Sequence, residues 1–149
     1  MRPSAVRERI VEEHARLRQQ LDALDSAANR LETEGQAALP EALELSRGFH
    51  EALRDHIDLE DAILVPTLRE ADAWGPERAD RLAEHHRQQR AEIRALGEAD
   101  AAEADPVALA DRLRQLCREI REDMKHEESG VLSADLLRDD PVAIDAEGG

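Results

Sequence analysis

Four stretches of this chain space their apolar residues alternately three and four apart, and glycine or proline interrupts the pattern between them. That spacing lays one apolar stripe along an α-helix, whereas a strand repeats its faces every second residue. The first stripe is Ile10, His14, Leu17, Leu21, Leu24, Ala28 and Leu31, opening after Ser4, a good N-cap, and stopping before Gly35. The second, from near Pro40, is Ala42, Ser46, Phe49, Leu53, His56, Glu60 and Ile63; Pro66 weakens its end and Trp74-Gly75-Pro76 marks the turn. The third starts at Pro76 and carries Leu82, His85, Gln89, Ile93 and Leu96, with Gly97 ending or loosening it. The fourth follows the N-cap Asp105 and Pro106, carries Leu109, Leu113, Leu116, Ile120, Asp123 and Glu127, and closes near Gly130. Four stripes that must each be covered predict an all-α fold, an up-down-up-down four-helix bundle over residues 4–132, with 133–149 as a C-terminal tail. One Trp, one Phe and no Tyr in a chain dominated by Ala, Leu, Glu and Arg agree with helix rather than strand chemistry.

Seven polar residues occupy slots in these stripes: His14, His56, Glu60, His85, Gln89, Asp123 and Glu127. A buried carboxylate without a partner costs several kcal/mol or surrenders its charge. The seams hold no Arg or Lys to neutralise them, so imidazoles and acids converging in one core call for cations, and two metal ions are the simplest answer. His14 lies about 18 residues before the first turn, and His56 and Glu60 about 18–22 after the second helix begins; at 1.5 Å per residue both fall roughly 27–33 Å from the same end. Glu60 and the pair His85/Gln89 are likewise level about the second turn. The fourth helix requires the connector from Gly97 to Asp105 to extend before Asp123 and Glu127 reach the same height. His56-x-x-x-Glu60 and Asp123-x-x-x-Glu127 each stack two donors on one helix face about 6 Å along the axis. One such pair is common on a solvated face; two of them in the seams, level with His14 and His85, form a constellation. Of the other candidates, His50 reads as a boundary histidine, His86 as solvent-facing, His126, three residues past Asp123, as an imidazole that a small rotation of the fourth helix would bring to the site, and Cys117 as a small packing residue.

A net charge of −15 repels nucleic acid and anionic membrane surfaces, so neither is expected as a partner, and the sequence names no protein partner. The single cysteine excludes an intramolecular disulfide and suits a reducing compartment. No apolar run approaches the roughly 20 residues of a bilayer crossing, and the first ten residues lack the apolar core of a secretory signal. The expected location is cytoplasmic.

The polar seam residues resemble the hemerythrin-like family, the HHE cation-binding domain. Its pattern is a His on helix one, His-x-x-x-Glu on helix two, a His on helix three and His-x-x-x-Glu on helix four. The matching residues are His14 in Glu-Glu-His-Ala-Arg-Leu, His56 and Glu60 in His-Ile-Asp-Leu-Glu-Asp-Ala-Ile-Leu-Val-Pro, His85 in Ala-Glu-His-His-Arg, and Glu127 in His-Glu-Glu-Ser-Gly-Val-Leu. The resemblance implies a four-helix bundle holding a non-haem di-iron centre, with His14, His56, Glu60, His85, Asp123 and Glu127 as ligands and manganese as the alternative metal. Two departures bear on function. Asp123 stands where the family has the second His of helix four, and Gln89 where oxygen carriers have a second His on helix three. A site richer in carboxylate favours harder, more oxidised metal. The implied role is therefore binding or sensing of dioxygen, peroxide or nitric oxide, or iron handling, rather than bulk oxygen transport or turnover. A ferritin-like carboxylate oxidase or peroxidase would show two Glu-x-x-His pairs, and Asp123-x-x-His126 is the only relative of that motif here. A metal-free helical adaptor that has lost the ion is the third reading.

Overall fold

The structure, a computed structural model, describes residues 1–140, and these fold as helices with no strand among them. The order is α1 (Pro3–Glu34), a 3₁₀ turn (Gly35–Ala38), α2 (Leu39–Leu59), a π turn (Glu60–Leu64), α3 (Val65–Ala71), α4 (Gly75–Ala102) and α5 (Pro106–Ser129). Gly35 ends α1 at φ 63°, a left-handed backbone that favours glycine. Asp105 caps α5 as its sequence suggests, its carboxylate accepting from the Val107 amide at 3.1 Å. Gly97, by contrast, does not end its helix; α4 runs through it to Ala102.

α2, the π turn and α3 form one helical column, so the bundle has four columns: α1, α2–α3, α4 and α5. α1 lies against α2 and α5, and α4 lies against α2 and α3 rather than α5. The π turn has a local cause. Pro66 has no amide to give the carbonyl four residues back, and its ring crowds that carbonyl. The wider turn, closed by the Val65 amide on the Glu60 carbonyl, takes up the misfit. It also inserts one residue into the apolar rhythm. Ile63, expected inward, is half-buried, while Leu64 and Leu68 are buried instead.

The apolar interior is divided in two. One cluster runs from Leu17 to Leu31 with Phe49, Leu53, Ile57, Ile93 and the α5 residues from Leu109 to Met124. The other joins Val6, Ile10, Leu64, Leu68, Ala79 and Leu82 to Leu132 and Leu137 beyond α5. Between them, on every column, the seam carries a polar residue. The segment expected as a tail from residue 133 is packed through Leu137, and its path is pinned by Arg7 Nε donating to the Leu132 carbonyl at 2.7 Å and Ser4 donating to Asp139. The rest of that expectation, residues 141–149, lies outside the described residues. No helix among the described residues is long and apolar enough to cross a membrane.

Candidate metal centre

The polar layer is built by His14 on α1, His56 at the end of α2, Glu60 opening the π turn, His86 on α4 and Glu127 on α5. His14, His56, Glu60 and Glu127 each offer one nitrogen or oxygen, and all four atoms lie within 4.8 Å of one another. His56 Nε2 is 2.8 Å from Glu60 Oε1, His14 Nε2 is 3.2 Å from Glu127 Oε1, and His86 Nε2 is 3.6 Å from Glu60 Oε2. These approaches are not good hydrogen bonds. Both nitrogens of His56, Glu60 Oε2 and Glu127 Oε1 are buried and lack an aligned partner. Orphaned buried polar atoms cost roughly 1–3 kcal/mol each, and His56 Nε2, Glu60 Oε2 and Glu127 Oε1 are three that a cation in the layer would satisfy.

The outward nitrogens of His14 and His86 are, in contrast, well partnered. His14 Nδ1 lies 2.8 Å from Glu128 Oε2, and Arg18 grips both Glu128 oxygens at 2.9 and 2.7 Å. His86 Nδ1 lies 2.5 Å from Asp61 Oδ1, and Arg90 ties the other Asp61 oxygen at 2.5 Å and Asp58 at 2.8 Å. Two columns thus repeat one device, imidazole–carboxylate–guanidinium. With Nδ1–H donating outward, the Nε2 lone pair of each ring faces the layer, the tautomer a metal ligand needs.

Electrostatics follow the same crowding. Burial drives Glu60 toward its neutral form, but the His56 and His86 imidazoles beside it prevail and hold it at about 2. Burial, together with the nearby Glu60 charge, pushes Glu127 up to about 6. Burial lowers His14 and His86, yet their carboxylate neighbours, Glu127 and Glu128 for the first and Glu60 and Asp61 for the second, raise both above the ordinary histidine value. Without a cation the layer retains protons near neutral pH.

The structure brings His14, His56, Glu60 and Glu127 together and leaves His85 and Asp123 apart from them. Both are exposed, and with Gln89 and His126 they line the outer part of a cavity of about 300 Å³ whose inner end is the polar layer. Burial raises the Asp123 carboxyl, partly offset by His85 and His126. His86, expected to face solvent, is 1% exposed and faces Glu60. Periodicity alone does not separate two adjacent histidines, since Leu82 to Ile93 is bridged equally well through position 85 or 86. The Asp61–Arg90 clasp decides for His86, and the only advance signal was Asp61 lying five residues beyond His56. Three imidazoles and two carboxylates, with Asp123 near by, suit iron, manganese or zinc, which accept nitrogen and oxygen donors together. The site fits a metal.

Over residues 5–134 the chain matches the family described as Hemerythrin HHE cation binding domain. No curated protein and no solved structure gives a match.

Proposed function

This chain belongs to the hemerythrin HHE cation-binding family, and from that premise we propose that its polar layer holds a pair of metal ions, iron or else manganese, for meeting a small oxidant or handling iron. The observation that carries this is the convergence of donor atoms from His14, His56, Glu60 and Glu127 within 4.8 Å of one another between two apolar cores, those of His56, Glu60 and Glu127 including buried atoms with no hydrogen-bond partner. Those four residues would hold one ion. His86 would serve the other together with the carboxylates of Glu60 and Glu127, while Asp123 and His85 stand farther out at the cavity wall.

A bound iron pair would supply redox chemistry and Lewis acidity toward dioxygen, peroxide or nitric oxide. The chain's own residues do the rest. Glu128 and Asp61 fix the two imidazoles with Nε2 inward. Leu17, Leu53, Ile57, Leu82, Ile120 and Met124 line the cavity with hydrocarbon, which excludes bulk water and leaves room for a molecule of few atoms. Access runs between α4 and α5, past His85, Gln89, Asp123 and His126. Glu127, protonated near pH 6 in the metal-free chain, can give up that proton when a cation arrives. Gln89 and Asp123 line the cavity where further imidazoles would be needed for a nitrogen-rich site, which argues against bulk oxygen transport.

Elemental analysis of the chain expressed without added metal, followed by anaerobic iron loading and exposure to air, tests the reading. A pair of ions per chain and a visible absorption that changes with oxidant are expected. A chain that takes up no iron, or stays colourless throughout, overturns it.

A further inference from the structure

A second cavity, of about 360 Å³, lies between α2 and the C-terminal half of α4, beyond His50 and away from the polar layer. We propose that this cavity binds a small organic carboxylate through His50, Arg54 and Arg94.

Three independent features point there. His50 lines the cavity at 3% exposure with its Nδ1 on the Gly97 side, where a ligand would meet it, while its Nε2 is buried with no hydrogen-bond partner. Nothing in the metal layer uses it. Burial and the nearby Arg54 charge, against Asp100, hold its imidazole below the ordinary value, so it is neutral at pH 7 and has an N–H to donate. Arg54 and Arg94 also line the cavity, and neither forms an ion pair among the described residues, although acids flank both on their helices. In a chain of net charge −15, guanidiniums left free at one cavity are a local reversal of the field. The third feature is Gly97. It sits inside α4 with an ordinary helical backbone, where glycine is unfavourable, and an added Cβ would meet only His50 Nδ1, at 3.5 Å. No turn or close backbone contact requires a glycine at that position. What its bare Cα does is keep the cavity open above the imidazole.

The lining also sets the ligand class. Leu43, Ile93 and Ala101 give apolar wall, so the ligand carries a hydrocarbon body. Asp100 is also there, its oxygens taken up by Ser46 Oγ at 2.9 Å and Arg112 Nε at 2.8 Å, and Glu98 stands on the rim. Those acids weigh against a dianion and favour a single negative charge. An organic monocarboxylate, its head between the two guanidiniums, meets both conditions.

The test is an NMR titration of the full chain with benzoate and hexanoate, with benzamide and hexanamide as neutral counterparts, and with inorganic phosphate. Saturable shifts of the His50 imidazole with the acids and not the amides are expected. Arg54→Ala and Arg94→Ala, both surface changes that leave the core intact, should each weaken binding roughly tenfold. Gly97→Val should abolish it while metal content stays that of the parent chain. Absence of any saturable shift, or equal binding of the amides, overturns the proposal. Displacement of the acids by phosphate at equal concentration overturns the carboxylate assignment. The titration reads His50 in chelated protein, free of paramagnetic iron, so its outcome is independent of whether iron occupies the polar layer.

Discussion

Replacing His86 with alanine should lower metal affinity by at least roughly 100-fold, whereas His85→Ala should change it by a few-fold only, as read by competition with a chromophoric chelator. The contrast rests on one residue step. His86 Nε2 faces Glu60 from a buried ring, and His85 stands exposed at the cavity wall. Equal losses from the two variants would reverse that assignment. The carboxylates behind the rings are testable separately. Glu128→Gln and Asp61→Asn keep the shape but weaken the hold on Nδ1, and each should reduce affinity about 10-fold without lowering the folded fraction. At this scale much of the layer was legible. A histidine or glutamate in an apolar seam is a costly exception, and His14, His56, Glu60 and Glu127 stand out for that reason. The choice between His85 and His86 was not, because it depends on Asp61 and Arg90, which come from different columns and meet only in the fold. Burial, with the Asp25 charge beside it, pushes the Cys117 thiol up to about 12. It should react with a thiol reagent only on unfolding.

Two glycines give opposite predictions about the helices. Gly75 opens α4 against the end of α3, and a Cβ there would sit 2.2 Å from the Leu68 carbonyl oxygen and 2.6 Å from that of Arg69. Gly75→Ala should therefore destabilise the chain by about 1–3 kcal/mol. Gly48 lies inside α2 with nothing within 4 Å of an added Cβ, so Gly48→Ala should stabilise it by roughly 0.5–1 kcal/mol. Denaturant midpoints check both, and a Gly75→Ala chain as stable as the parent would refute the close approach of α3 to α4. The helices themselves were legible because their stripes are long and their ends carry turn residues. The π turn was not. An apolar pattern counts in threes and fours, and a single inserted residue between Glu60 and Leu64 shifts it without announcing itself; Pro66 is the sole mark in the sequence. The same turn holds Glu60 and Asp61, so the irregularity sits where the layer is assembled. Gly97 misled in the opposite direction: it resembles a helix stop, yet α4 passes through it.

On the scale of the whole molecule, the arrangement of two apolar clusters with an ionisable layer between them makes stability depend on pH in opposite senses with and without metal. Four columns and their common polar level could be counted from residue spacing; that α4 packs with α2 and α3 and leaves room beside α5 could not, since no single stripe records which neighbours cover it. That room is what exposes Asp123 and His85. In the metal-free chain, His14 and His86 have folded values above the ordinary 6.5, so the stability they contribute is complete below that value and fades as pH rises through the raised ones. Glu127, at about 6 when folded against 4.5 ordinarily, acts in the same direction, its share present in acid and lost as pH climbs past about 6. Glu60, held at about 2, contributes above 4.5 and loses its share only as pH falls toward 2, outside the physiological window. Chelated protein should therefore melt at a lower temperature at pH 8 than at pH 6. Metal reverses the slope, because the cation binds the deprotonated donors and protons compete with it. At free metal about 100-fold above the dissociation constant, binding adds roughly 2.7 kcal/mol, or about 5–10 °C in melting temperature, and the gain should grow from pH 6 to pH 8. Melting curves at several pH values, with chelator and with iron(II) under nitrogen, should thus diverge as pH rises. Parallel curves would mean that the layer titrates without regard to the cation, and the His14–Glu127 and His86–Glu60 contacts would then be structural ion pairs rather than a metal centre.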